Sequence, residues 1–385
     1  LSGSGCHRSN DPIGGDETMG EPYRPAVEWR ISTMRAQYLA MRQQGRRWSL
    51  RGLFSMADCD IADYCGDFTP NRYGALACAE VERFCRRHSI WLSADGPHYN
   101  SMTPYLHRSA VTAERMTTIG IFNAILFWLN DTVGREKFPH LTHAARFAAR
   151  EGVLRLCETL DTGSTTADPT PITEAMAEFR SMLVREAADD WLDYFIGSTI
   201  EHLTLAIRDH NARARGTVPT VAEYIDIRGH VSGMRPAVAL YEFARNEYLS
   251  WDRIREAELD APLTQLRELT VQFAALMNDI FSFEKECIVD RSDFNLIPVC
   301  LLNQPRSTLA EAIFNAAELV RDRFNDLRRT HALLLEKCDD RPGTVAEAVR
   351  THADDLVDGA KATWVWQTTT SRYQGISIFL ENTRH

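Results

Sequence analysis

Asn278-Asp279-Ile280-Phe281-Ser282-Phe283-Glu284-Lys285-Glu286 lies inside Pro262–Ile288, whose 3.6-residue apolar period reads as one long helix. On a helix, Asn278, Ser282 and Glu286 fall at i, i+4 and i+8 and stack along one face. They offer an amide carbonyl, a hydroxyl and a carboxylate, three oxygen donors of different reach. Such a set suits a hard cation like Mg2+, which takes oxygen ligands at about 2.0–2.1 Å and keeps several waters. Phe273, Ala274, Ala275 and Met277 surround the trio, and a polar stripe in apolar surroundings needs partners. Read by spacing alone, a solvated helix face is the alternative, since Asn, Ser and Glu are common there.

Working outward, the same period recurs over Ala26–Gln44, Tyr73–His88, Ala113–Val133, His140–Glu151, Ile172–Arg213, Val221–His230, Met234–Tyr248, Leu309–Lys337 and Val345–Thr370. Ile172–Arg213 is long enough to hold more than one helix. Breakers separate the segments: Asp168-Pro169-Thr170-Pro171, Thr217-Val218-Pro219-Thr220 and Asp340-Arg341-Pro342-Gly343. Pro262 suits a first turn, and Thr220 and Ser307 suit N-caps. No window shows sustained strand alternation and no repeat of solenoid length appears. The expectation is all-α: one helical bundle with room for a central ligand cavity.

Composition narrows the function. The chain has 385 residues, 44% hydrophobic and 25% charged, as in an ordinary globular protein. A net charge of −10 argues against nucleic-acid binding, though a metal cluster would still let a site accept an anion. Nine scattered cysteines without C-x-x-C or zinc spacing point to a reduced, cytoplasmic protein. The most apolar stretch, Ile119–Leu129, is too short to span a bilayer, so stable membrane insertion is not expected. Residues 1–22 are polar and glycine-rich, without signal-peptide character, and read as a disordered tail before a single domain over 23–385.

The nine-residue string closely resembles the second metal motif of class I terpene synthases, Asn-Asp-x-x-Ser-x-x-Lys-Glu. The resemblance implies that Asn278, Ser282 and Glu286 hold Mg2+, that Lys285 touches a diphosphate and that Asp279 supports them. For the family's aspartate motif the chain offers Asn130-Asp131-Thr132-Val133-Gly134-Arg135-Glu136, at the end of a long apolar helix. Asp131 precedes Asn278 by 147 positions (278 − 131), as the family's order requires. Thr132 stands where a second Asp is usual, and Glu136 is the distal acid, as in a DDxxxE variant. Two literal DDxxD strings, Asp189–Asp193 and Asp354–Asp358, are rejected: the first lies only 89 positions before Asn278 (278 − 189), the second after it.

Pro219-Thr220 and Tyr224–Arg228 resemble the family's diphosphate-sensing segment, with a helix break at Ser232-Gly233. Arg372-Tyr373, after Trp364 and Trp366, resembles the Arg-Tyr ending of microbial members. With Cys78–Trp91, which reads like the family's early helix, the resemblance covers roughly residues 65–375 and implies a single-domain bacterial or fungal type of terpene cyclase, with no plant-type second domain. The implied reaction is ionisation of a prenyl diphosphate, farnesyl diphosphate favoured, by three Mg2+ ions with Arg228, Lys285, Arg372 and Tyr373. The cation is then cyclised or quenched in an aromatic cavity including Phe127, Ser232 and Trp366. A chain-elongating prenyltransferase on the same fold is one alternative, and a non-catalytic isoprenoid-binding homologue is another. Monomer and homodimer are both open.

Overall fold

Helix α1 (Pro25–Gln43) opens the helical part of a computed structural model that describes residues 21–66, 68–165 and 167–383. It is followed by α2 (Gly74–Arg87), α3 (Ala113–Val133), α4 (His143–Thr162), α5 (Pro171–Glu186) and α6 (Asp189–Ala206). Next come α7 (Val221–Val231), α8 (Met234–Arg245), α9 (Asp260–Phe283), α10 (Leu296–Asn303), α11 (Leu309–Asp340) and α12 (Thr344–Thr369). Among the described residues the only strands are β1 (Glu21–Pro22) and β2 (Thr217–Val218), an antiparallel pair. The rest of the expected polar tail lies outside the described residues.

Caps set several boundaries. Thr220 and Glu223 form a reciprocal capping box at the start of α7, as expected for Thr220. For α11 the cap is Thr308 rather than Ser307, because only Thr308 has Glu311 at the third helical position to return the bond. The predicted Ile172–Arg213 segment divides at Ala187-Ala188 into α5 and α6, with a short turn, Ala212–Arg215, beyond. Pro262 sits in the first turn of α9.

Two apolar clusters fill the bundle. One gathers α9, α11 and α12 with α1, around Phe273, Phe281, Phe324 and Trp364. The other gathers α2, α3, α5, α6 and α8, around Phe122, Phe179, Phe195 and Phe243. Helix α3 is apolar on every side because it runs between neighbours, with Ile119, Ile121, Phe122 and Ile125 all buried. A cavity lies between the clusters, reached by α3, α6, the α7–α8 junction, α9 and α12.

Candidate active site

The cavity has about 1300 Å³ of empty space, its open mouth included. Its walls are apolar along Leu126, Leu203, Met234 and Ala274, and polar at one end, where the residues singled out in the sequence converge. Phe127, Glu136, Arg228, Ser232, Asn278, Ser282, Lys285, Glu286, Trp366, Arg372 and Tyr373 all line it. Asp131 stands just behind, held by both terminal nitrogens of Arg372 at 2.7 and 3.0 Å.

The second metal motif spans a change of helix type. Helix α9 ends at Phe283 and continues as a π-helical turn, Glu284–Val289, which carries Glu286. Side-chain donors serve carbonyls at the junction: Asn295 donates to Asp279 O at 2.7 Å and Asn382 to Phe281 O at 2.8 Å. Single π turns inside α-helices are frequent at functional sites because they re-aim side chains without ending the helix. Asn278 Oδ1 accepts from Arg228 at 3.1 Å, while its Nδ2 donates to Gln367 at 3.0 Å and to the Tyr373 hydroxyl at 2.9 Å. One turn on, the buried Ser282 Oγ has no hydrogen-bond partner among the described residues. A buried hydroxyl without a partner is costly, and here it faces a cavity between an amide oxygen and a carboxylate. That donor set fits a hard divalent cation.

Beneath the trio, the fully buried Asp279 ties three elements together. It accepts from the Tyr224 hydroxyl, from Arg228 Nε at 2.7 Å and from the Leu296 backbone at 3.1 Å. Arg228 is thereby fixed with its outer nitrogen on Asn278. The α7–α8 break falls where expected: α7 stops at Val231, and Gly233 takes the left-handed φ of 78° that glycine tolerates. The Ser232 hydroxyl closes this turn, donating to Gly229 O at 3.1 Å and accepting from Met234 N at 3.1 Å.

The opposite wall differs from the usual acid motif. Thr132 donates to Trp128 O at 2.6 Å and is spent on its own helix. Gly134 then turns the chain so sharply that a Cβ there would lie 2.4 Å from Asn130 O. The turn aims Arg135 and Glu136 inward, both buried. Arg135 bonds Glu136 at 2.5 Å and, across the cavity, Glu286 at 2.7 Å. Burial alone would raise the Glu136 pKa, but Arg135, helped by Lys285 and Arg228, holds it down at about 2. For Glu286 burial prevails and raises the pKa, aided by the neighbouring Glu136 and Asp279 charges and opposed by Arg135. The two carboxylates share one guanidinium. Lys285 keeps its proton despite burial, because Glu136, Asp290 and Asp131 favour the charged form.

Aromatic rings line the approach. Phe127 stacks on Tyr99 with centroids 5.1 Å apart and lies 6.5 Å from Trp366, which meets Tyr373 edge-on at 6.2 Å. The Trp366 indole donates to Ser101 Oγ at 3.0 Å, so its ring is fixed. The rejected DDxxD strings lie elsewhere: Asp189, Asp190 and Asp193 are exposed, Asp354 pairs with His331 and Asp355 with Arg245. Sequence reasoning missed Arg135, Gln367, Asn295 and Tyr99. Arg135 alone carried a signal, as a cation inside an otherwise acidic motif.

An all-helical bundle around a cavity of this kind is the fold of class I terpene synthases. An α-eudesmol synthase structure superposes with a TM-score of 0.66 at 19% identity, covering 79% of this chain and 97% of that one. A linalool/nerolidol synthase from Streptomyces clavuligerus, in complex with 2-fluorogeranyl diphosphate, gives 0.64 at 18% identity over 78% and 100%. The chain belongs to terpene synthase family 2, whose C-terminal metal-binding region it matches over residues 122–326, more than half its length. That region points to a divalent metal cofactor. Germacrene A synthase of Nostoc punctiforme is 28% identical over 180 residues, 47% of this chain and 54% of that protein. Sesquiterpene synthase 1 of Postia placenta is 29% identical over 167 residues, 42% and 45% respectively. The chain thus spans about half the length of the curated relatives it matches.

Proposed function

We propose that the protein is a terpene synthase that ionises a prenyl diphosphate, farnesyl diphosphate favoured, and cyclises or quenches the resulting cation. The observation that carries this reading is the unpartnered Ser282 hydroxyl between Asn278 and Glu286, at the polar end of an apolar cavity. Asn278, Ser282 and Glu286 would hold Mg2+ on one wall, and Asp131 with Glu136 on the other, three ions in all. Bound Mg2+ would supply Lewis-acid stabilisation of the charge that develops on the leaving diphosphate.

The protein's own groups do the rest. Arg228, held by Asp279 through Nε, is set at the cavity wall with its outer nitrogen on Asn278. Arg372 and Lys285 add fixed positive charge, and the Tyr373 hydroxyl adds a donor, so the dipoles facing the leaving group are set in advance. As the allylic C–O bond breaks, the carbon chain is left against Phe127 and Trp366. Each ring face stabilises a cation by roughly 0.5–2 kcal/mol, so several acting together matter. The Ser232–Gly233 break brings backbone next to the apolar walls, where the allylic unit would lie. Eight free cysteines among the described residues support a reducing, cytoplasmic setting. No helix among the described residues is long and apolar enough to cross a membrane.

The test is incubation of the purified protein with C10, C15 and C20 prenyl diphosphates and Mg2+, followed by analysis of volatiles and of released diphosphate. A terpene from the C15 substrate is the expected result. Elongated diphosphates on adding isopentenyl diphosphate, or no diphosphate release from any substrate, would defeat the proposal. Asn278→Ala and Asp131→Ala should each lower turnover by roughly 100-fold or more, as expected when a preorganised electrostatic contact is lost. Full activity in Asp131→Ala would place the first acidic motif elsewhere.

A further inference from the structure

Arg135 is a charged residue of the cavity that the proposed reaction does not use. Its guanidinium spans from Glu136 on the α3 side to Glu286 on the π turn, at 2.5 and 2.7 Å. Cζ also lies 5.8 Å from the Phe294 ring. The second oxygen of Glu286 accepts from Asn295 at 3.0 Å, so both oxygens of this carboxylate are engaged. Ser282, one turn earlier on the same face, is unengaged. One of the three oxygens is therefore open: the Ser282 hydroxyl waits, while Asn278 Oδ1 accepts from Arg228 and the one charged member is held by Arg135.

A guanidinium and a divalent ion compete for the same carboxylate lone pairs and repel each other at close range. Arg135 is also placed to give way. It belongs to the turn between α3 and the short helix Phe138–His140, and Lys137 anchors that turn separately by bonding Asp290 at 2.8 Å. Once Arg135 leaves Glu286, the freed nitrogen would still face the cavity that Arg135 lines.

We propose that Arg135 is a gating counter-cation, which neutralises Glu286 and Glu136 while no metal is bound and must leave Glu286 before a divalent ion can enter. It acts through Glu286 and is a positioning residue. The proposal rests on the reading of Glu286 as a metal ligand.

Mn2+ binding to the full chain without substrate, followed by electron paramagnetic resonance, tests it apart from turnover. Arg135→Gln should bind Mn2+ about tenfold more tightly than the native protein, since one charge-assisted bond no longer has to be broken. Lys285→Gln removes a cation from the same cavity, but one that bonds Asp290 and not Glu286. It should tighten binding far less. Unchanged or weaker binding in Arg135→Gln, or equal tightening in Lys285→Gln, would overturn the gate. Glu286→Gln, alone and combined with Arg135→Gln, separates the gate from the reading beneath it. Undiminished Mn2+ binding in both would show that Glu286 is no ligand, whatever Arg135 does. Where Arg135→Gln does not fold, Arg135→Lys keeps the buried charge but cannot bridge both carboxylates with one ammonium; binding tighter than native is again expected, and unchanged binding would overturn the gate.

Discussion

Ser282 and Asp279 are three positions apart on α9, and they separate function from stability. Asp279 is fully buried, and each of its bonds is to another element: Tyr224, Arg228 and the start of α10. Removing one partner of a buried charged network strands the other, at a cost of about 3–5 kcal/mol. Asp279→Ala is therefore expected to lose stability on that scale in urea unfolding, and to lower activity by releasing Arg228. Ser282 Oγ makes no bond among the described residues, so Ser282→Ala should leave stability within about 1 kcal/mol of native or raise it slightly. The same variant should bind Mn2+ more weakly. A loss of several kcal/mol in Ser282→Ala would mean that the hydroxyl has a structural task and is not held open for a ligand.

At the scale of elements, the turn after α3 decides what faces the metal motif. Gly134 has an ordinary negative φ of −67°, so its requirement is steric: any Cβ would run into the backbone of Asn130. Gly134→Ala must shift the last turn of α3 or swing out residues 135–137. Strain of about 1–3 kcal/mol is expected, read as a lowered urea midpoint. The loss of Arg135–Glu286 alignment should appear as altered Mn2+ affinity, and an unchanged midpoint would show that the turn has room. Such features were barely legible in the sequence. Long helices were, because their apolar period is sustained: Ala113–Val133 ends where its pattern ends, and α12 is within a residue of expectation at both ends. Helices of four to six residues, such as Leu50–Phe54 and Trp251–Glu256, carry less than two turns of pattern and did not register. The π turn at Glu284–Val289 was invisible too, since the groups that serve the carbonyls just before it are remote: Asn295 and Asn382 reach Asp279 O and Phe281 O from other parts of the chain. The site residues were legible through their residue types and order, whereas their pairing was not. Nothing in the spacing says that Arg372 meets Asp131 or that Arg135 crosses to Glu286.

Across the whole molecule, the segment that follows the π turn is pinned to the rest of the chain, and one pin should make stability depend on pH. Asp293, just beyond the π turn, accepts from the Ala212 backbone at 2.9 Å and so ties that loop to the segment leading into β2. Burial raises its pKa from 3.8 to about 6; the Ala212 bond and Arg35 oppose the shift, and Asp209 reinforces it. The folded state therefore holds a proton on Asp293 in a window where the unfolded chain has lost it. Stability from this group is complete below about pH 4 and is lost as pH rises through about 6. Asp293→Asn keeps an oxygen for Ala212 and cannot ionise. At pH 8 it should be more stable than the native protein by up to about 3 kcal/mol, the free energy of a shift of roughly two units. The difference should shrink below pH 6 and vanish near pH 4, and urea unfolding at matched ionic strength measures both ends. A gap that persists at pH 4 would assign the gain to packing, and its absence at pH 8 would mean that Arg35 compensates the ionised carboxylate in full.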